Sequence, residues 1–238
     1  MDKLFGHVRA AVDRYQMIEE GDRIAVGVSG GKDSMFLLAA LQDLSLYYPK
    51  KFTVTAVTAD PCFGGEDTDF SRIQAFCAER GIPYILRKTR LGTIIFEENK
   101  EPNPCSLCAR MRRGILHNIC VEEGLNKIAL GHHMDDAAQT FMMNLLYGGR
   151  IGCFSPKSYL SRKNLTMIRP LVFCSEREII NAVKRLDIPV VKSACPADGV
   201  TARKDTEILL TSLQKDFPDI KQKIIGAMQR AELDDWGF

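Results

Sequence analysis

The stretch Ile24-Ala25-Val26-Gly27-Val28-Ser29-Gly30-Gly31-Lys32-Asp33-Ser34 changes character within a few residues. An apolar run stops at Ser-Gly-Gly-Lys-Asp-Ser, and a helical pattern follows over Met35, Phe36, Leu37, Leu38 and Ala39. A buried strand that feeds a glycine turn and opens a helix presents backbone N–H groups at the positive helix end. That arrangement suits a phosphate or pyrophosphate. Gly30 and Gly31 let the backbone approach an anion with no Cβ in the way. Lys32 adds a mobile cation, and Ser29 and Ser34 add hydroxyl donors. The common nucleotide loops do not fit. Walker A requires glycine where Val26 stands and Ser or Thr where Asp33 stands, and Gly-x-Gly-x-x-Gly is absent.

Two further clusters carry chemistry. In Pro104-Cys105-Ser106-Leu107-Cys108-Ala109-Arg110-Met111-Arg112-Arg113, the two thiols lie one helical turn apart and can face one point. Such a pair serves as a redox dithiol, half a zinc site or part of an iron–sulfur cluster. No second Cys-x-x-Cys exists, so any partner comes from Cys62, Cys77, Cys120, Cys153, Cys174 or Cys195. Cys77 and Cys120 sit in helical patterns and read as core fillers. Cys62 and Cys195 sit in expected loops beside Pro61 and Pro196. The other cluster is Gly131-His132-His133-Met134-Asp135-Asp136, between an apolar strand and an amphipathic helix. Gly131 again permits close approach. The carboxylates either cap the helix or hold Mg²⁺ against a phosphate. A metallohydrolase using His132, His133, Asp135 and Asp136 is the alternative use of the same residues.

The elements that must position these groups alternate. An amphipathic helix is expected over 3–19. Strands are expected at 24–28, 52–58, 83–87, 127–131 and 166–171, with helices at 34–47, 68–80, 105–124, 135–147 and 176–187. This alternation predicts an α/β fold, a parallel sheet with helices on both faces, in a single domain over 1–238. Two more helices, 201–216 and 218–232, close the chain and carry Arg203, Lys204, Lys215, Lys221, Lys223 and Arg230. Phe63–Glu66 and Thr89–Pro104 are expected as loops at strand ends, where ligands bind in open α/β sheets.

The chain has 238 residues, 45 % of them hydrophobic, enough for a full core. Net charge is only +2, so composition alone does not require a nucleic-acid partner. The distribution is more telling. Residues 102–121 and 150–170 contain no acid, yet carry Arg110, Arg112, Arg113, Arg150, Lys157, Arg162, Lys163 and Arg169. Charges through the first twenty residues argue against a signal sequence, and no apolar run approaches a membrane span. The eight cysteines are then expected to be cytoplasmic thiols.

Ser-Gly-Gly-Lys-Asp-Ser resembles the PP-loop of the ATP pyrophosphatases, which cleave ATP between the α and β phosphates. Together with Cys-Ser-Leu-Cys-x-Arg-x-Arg-Arg-Gly-Ile-Leu, Gly-His-His-x-Asp-Asp, Leu-Tyr-Gly-Gly-Arg and Ile-Arg-Pro-Leu, it resembles the TtcA family of tRNA 2-thiocytidine synthetases over about residues 20–215. The resemblance implies a Rossmann-like domain of the adenine nucleotide alpha-hydrolase type, with ATP, Mg²⁺ and a [4Fe-4S] cluster. It implies that Cys105, Cys108 and Cys195 hold the cluster and leave one iron open for the transferred sulfur. It further implies tRNA as acceptor, a cysteine desulfurase or sulfide as sulfur donor, no membrane and a homodimer. The sequence departs from the family pattern at Gln139, where glutamate is usual, and in carrying a single downstream cysteine.

The chemistry is coherent residue by residue. A pyrimidine C2 oxygen is a poor leaving group until AMP is transferred onto it. The loop Ser29, Gly30, Gly31, Lys32, Asp33 and Ser34 is expected on the ATP phosphates, with Lys32 and Asp33 catalytic. Gly131 is expected to contact the nucleotide, and Asp135 to serve Mg²⁺ or acid–base work. Asp60 is a candidate for a ribose or metal contact, and otherwise a strand-end turn residue. Competing readings are another PP-loop ligase or sulfur transferase acting on thiouridine or a small molecule, and a non-enzymatic nucleotide-binding module with structural zinc.

Overall fold

The computed structural model describes residues 3–98, 104–192, 195 and 202–237. Pro196 and residues 99–103 of the expected 89–104 loop lie outside them. The chain runs α1 (Lys3–Arg14), β1 (Asp22–Gly27), α2 (Lys32–Tyr47), β2 (Phe52–Asp60), α3 (Ser71–Glu79), β3 (Tyr84–Lys88), a single turn α4 (Leu91–Thr93), α5 (Pro104–Glu122) and β4 (Lys127–Ala129). It continues through α6 (Met134–Leu146), β5 (Lys157–Leu160), β6 (Leu165–Ile168), α7 (Glu176–Arg185), α8 (Ala202–Asp216) and α9 (Ile220–Arg230).

Successive side chains of β1 point to opposite faces, so Ile24 and Val26 enter one core and Ala25 the other. The larger core, with α1, α2, α6, α7 and α9, includes the fully buried Phe36, Leu37 and Leu41. The smaller lies under α5 and joins Ile119 and Cys120 to Val57, Ile128 and Met167. The sheet order is β3-β2-β1-β4-β6-β5. β1 pairs in parallel with β2 on one side and β4 on the other. The order reverses there, which opens a crevice at the carboxyl ends of β1 and β4. The motif ending at Ser34 and the one beginning at Gly131 flank that crevice.

Three expectations change. The sheet has a sixth strand, β5, pairing antiparallel with β6 at the edge. Its four residues are mostly half-buried and lack alternating apolarity, so no period-2 signal marks them. Leu91–Glu98 is a helical turn continuing into a π-turn rather than a loop. The first helix stops at Arg14 because the chain turns at Gln16 (φ 45°) to bury Met17 and Ile18.

Candidate nucleotide and thiol site

The loop after β1 is built by its own side chains. Ser34 Oγ accepts from the Ser29 N–H (3.2 Å) and donates to the Gly31 carbonyl (2.9 Å), while Ser29 Oγ accepts from the Gly31 N–H (3.3 Å). Gly30 has φ +87°, a left-handed conformation that disfavours a side chain, and its carbonyl accepts from the Val191 N–H (2.9 Å). Gly131 is required for a different reason. A Cβ there would lie 3.1 Å from backbone atoms of both Asp33 and Ser34, because the end of β4 passes against the first turn of α2. Gly131→Ala is therefore expected to displace that turn, costing about 1–3 kcal/mol of stability. ATP affinity should fall with it. Thermal unfolding and nucleotide titration check this, and a variant with wild-type values in both would refute it.

Lys32 Nζ lies 3.0 Å from Asp33 Oδ2 and 2.9 Å from Glu176 Oε1 at the start of α7. Partial burial works against its charge, but Glu176 and Asp33 outweigh this and hold its pKa above the usual lysine value. The other oxygen of Asp33, Oδ1, is buried with no hydrogen-bond partner. His133 Nε2 lies 3.7 Å from it.

Two cavities flank the loop and share Ser29, Gly31, Ala59 and Arg112. The first, about 210 Å³, is walled by Thr58, Pro61, Phe63, Phe70 and Val191 at the end of β2. Its apolar and aromatic walls suit an adenine base. The second, about 520 Å³, lies over β1, β4 and β6 and takes in Asp33, Ser34, Arg113, Gly131, His132 and Arg169. Burial first, and then the Arg169 charge, push His132 down to about 4, so its imidazole is neutral at physiological pH.

The thiols lie beside these cavities. Spacings of three and four residues along α5 align Cys105, Cys108 and Arg112 on one stripe. Burial pushes the Cys108 thiol pKa up; Cys195 and Cys105 raise it further, and Arg112 opposes them. Arg112, one turn further along α5 than Cys108, lines both cavities. Cys77, Cys120 and Cys174 are buried in the core. The Cys153 thiol donates to the Ala137 carbonyl, and burial raises its pKa to about 12. Cys62 lies elsewhere, grouped with Asp60 and Asp67.

The family model for the PP-loop domain matches residues 6–203. A tRNA-cytidine(32) 2-sulfurtransferase from Syntrophotalea carbinolica is 36% identical over 95% of this chain and 90% of its own length. The protein of the same name from Geobacter sulfurreducens is 38% identical, over 95% and 88%. The chain belongs to the TtcA family. Among solved structures, the U34-tRNA thiolase NcsA from Methanococcus maripaludis, determined with its [4Fe-4S] cluster, superposes with a TM-score of 0.81. It is 28% identical, over 96% of this chain and 77% of that one.

Within this TtcA-family chain, Ser29, Gly31, Asp33, Ser34 and Gly131 line the cavities as their motifs suggest. Gly30, Lys32, Asp60 and Asp135 do not. Asp60 is 1% exposed, and its oxygens accept from the Cys62 N–H and from the N–H and hydroxyl of Thr68, fixing the turn after β2. Asp135 accepts from Lys221 Nζ (2.5 Å) and from the Glu176 N–H (2.7 Å). Burial raises its pKa, but these two partners more than offset that and keep it ionised. Asp135 therefore anchors α7, and through it Glu176, rather than facing the cavity. Its neighbour Asp136 closes a capping box with His133 and pairs with Arg203 (2.7 Å). The sequence motifs did not single out Glu176, Phe154 or Val191 as functional. The capping box that opens α7 joins Ser175 to Glu178 and says nothing of the contact between Glu176 and Lys32.

Proposed function

We propose that this protein is an ATP-dependent tRNA thiolase. It adenylates the C2 oxygen of an anticodon-loop cytidine, position 32 in the relatives' name, and replaces that oxygen with sulfur. The observation that carries this reading is Arg112, which lines both cavities beside the PP-loop and follows Cys108 by one helical turn on α5. The loop Ser29–Ser34 binds the triphosphate, with Lys32 neutralising the departing pyrophosphate. Asp33 Oδ1 is the carboxylate for Mg²⁺. Adenosine lies toward Ala59 and Phe70, and the acceptor base enters over Gly131 and His132.

Cys105 and Cys108, one turn apart on α5, with Cys195 as third ligand, would hold a [4Fe-4S] cluster of the kind in the solved relative NcsA. When bound, the cluster supplies sulfur at an iron that no protein thiolate occupies. Sulfur comes from a cysteine desulfurase or as sulfide. The protein acts in the cytoplasm as a homodimer. Among the described residues no helix is long and apolar enough to cross a membrane.

The acceptor surface follows from the two acid-free stretches. Lys163 Nζ donates to Asn118 Oδ1 (2.9 Å), which ties the β5–β6 turn to α5. His117 on α5 has its pKa lowered by burial and then by the charges of Arg113 and Lys163. Arg110, Arg113, Arg162 and Lys163 are exposed, a basic face suited to RNA phosphates. The last helices contribute less than their composition suggests, because Lys221 is turned inward to Asp135 and Lys223 pairs with Asp219. We expect tRNA binding by the wild type to weaken steeply with salt. Changing Arg112, Arg113, Arg162 and Lys163 to Ala should lower the slope by roughly 0.9 for each phosphate that the protein no longer neutralises. An unchanged slope would remove the RNA face. Wild-type protein that binds no tRNA would leave a small-molecule sulfur acceptor.

A further inference from the structure

Arg169 follows β6, two strands from the PP-loop and on the side away from the proposed adenosine cavity. It is only 7% exposed. Its Nη1 donates to the Ser155 carbonyl, its Nη2 lies 3.1 Å from Met167 Sδ, and its Nε has no partner. Among the described residues no carboxylate pairs with it, although buried guanidinium groups in proteins are ordinarily paired. Burial lowers its pKa to about 10, so it stays charged at neutral pH.

The seat of this cation is braced from the far end of the chain. The guanidinium carbon lies 4.8 Å from the Phe154 ring centroid, and His132 packs on the same ring at 5.1 Å. Asp234 Oδ2 accepts from the Cys153 N–H (2.7 Å). Trp236, fully buried, donates from Nε1 to the Phe154 carbonyl (2.8 Å). An unpaired cation in a fixed position on a cavity wall leaves the balancing charge to the ligand. In a cavity shared with the PP-loop, that ligand is an anion additional to the pyrophosphate.

We propose that Arg169 binds the phosphate of the adenylyl group on the acceptor side of the cavity. This rests on the thiolase reading. The acceptor C2 oxygen forms a bond to the α-phosphorus of ATP, and the bond to the bridging oxygen breaks with release of pyrophosphate. Sulfur from a donor at the sulfide oxidation level then bonds to C2. The C2–O bond breaks, and AMP departs with that oxygen and the electron pair. Arg169 holds the same phosphate through both steps. A tRNA backbone phosphate is the other source of such an anion, but it is better served by the exposed Arg113, Arg162 and Lys163 than by a nearly buried side chain behind Phe154.

The test compares wild type with Arg169→Met and Arg169→Lys. Arg169→Met removes an unpaired buried charge, so the ligand-free protein should unfold at no lower temperature than wild type. Its affinity for AMP should fall about tenfold or more. Single-turnover tRNA thiolation should fall on the order of 10²-fold. Its tRNA affinity and salt slope should stay at wild-type values. Arg169→Lys should recover part of the AMP affinity. Unchanged AMP binding in Arg169→Met would overturn the proposal. A tRNA salt slope reduced by about one would assign Arg169 to the RNA backbone instead. Loss of folding in Arg169→Met would show that the protein itself satisfies the charge, and would equally overturn it. AMP binding needs no acceptor, so a wild-type enzyme that fails to thiolate tRNA would sink the thiolase reading while this arm still decides the role of Arg169.

Discussion

Alanine at Cys105, Cys108 or Cys195 is expected to remove bound iron and reduce thiolation to background, each substitution alone having the full effect. The argument is electrostatic and geometric. Cys105 and Cys108 are one turn apart on α5, and the Cys108 thiol carries the influence of both other thiols. A cluster on three thiolates does not survive as a stable species on two. Cys77→Ala and Cys120→Ala should keep their iron, since both thiols are buried core fillers whose truncation costs on the order of 1 kcal/mol. Iron analysis and absorption of anaerobically prepared protein separate these outcomes without reference to turnover. Full iron in Cys195→Ala would shift attention to Cys62, because burial holds Cys153 and Cys174 in the thiol form. A colourless protein holding zinc would favour the structural-module reading.

The second large effect is expected at the PP-loop. Lys32→Ala should lower the rate of AMP formation by on the order of 10²–10³. Asp33→Ala should do the same, with part of the deficit restored by raising Mg²⁺. Lys32 is held between Asp33 and Glu176, so Glu176→Gln should give a smaller decrease by letting the ammonium drift while its charge remains. The products are the sharper check. AMP and pyrophosphate are required of this loop, and ADP with orthophosphate would disprove the assignment. Circular dichroism and melting of the variants distinguish a lost reaction from a lost fold, since Lys32 and Asp33 sit at the surface end of α2 rather than in its core.

Most of the scaffold was legible because its causes are local. The run Ile24–Val28 is buried on both faces and so reads as a continuous apolar strand. Ser29–Ser34 closes on itself through two serine hydroxyls, so the loop's shape is a property of six adjacent residues. The thiol pair on α5 follows from helical spacing. The edge strand β5 escaped because a four-residue strand at the sheet edge has no apolar face to betray it.

The reach of individual side chains was decided elsewhere. Asp33 and Asp135 are both acids in the first turn of a helix, and nothing local separates them. The sheet order sets β4 beside β1, so Gly131 meets the first turn of α2 and Asp33 lines the crevice, while α7 and α9 close over Asp135 and engage both its oxygens. Asp60, similarly, is turned into its own loop by Thr68. Glu176 meets Lys32 across more than a hundred residues, and Trp236 braces Phe154 from near the end of the chain. The sequence by itself determined most of the strands and helices, the anion-binding turn and the thiol pair, because hydrogen bonding and apolar periodicity act over a few residues. Tertiary structure alone decided which carboxylate and guanidinium share a cavity, because that depends on strand order and on contacts between residues that only folding brings together.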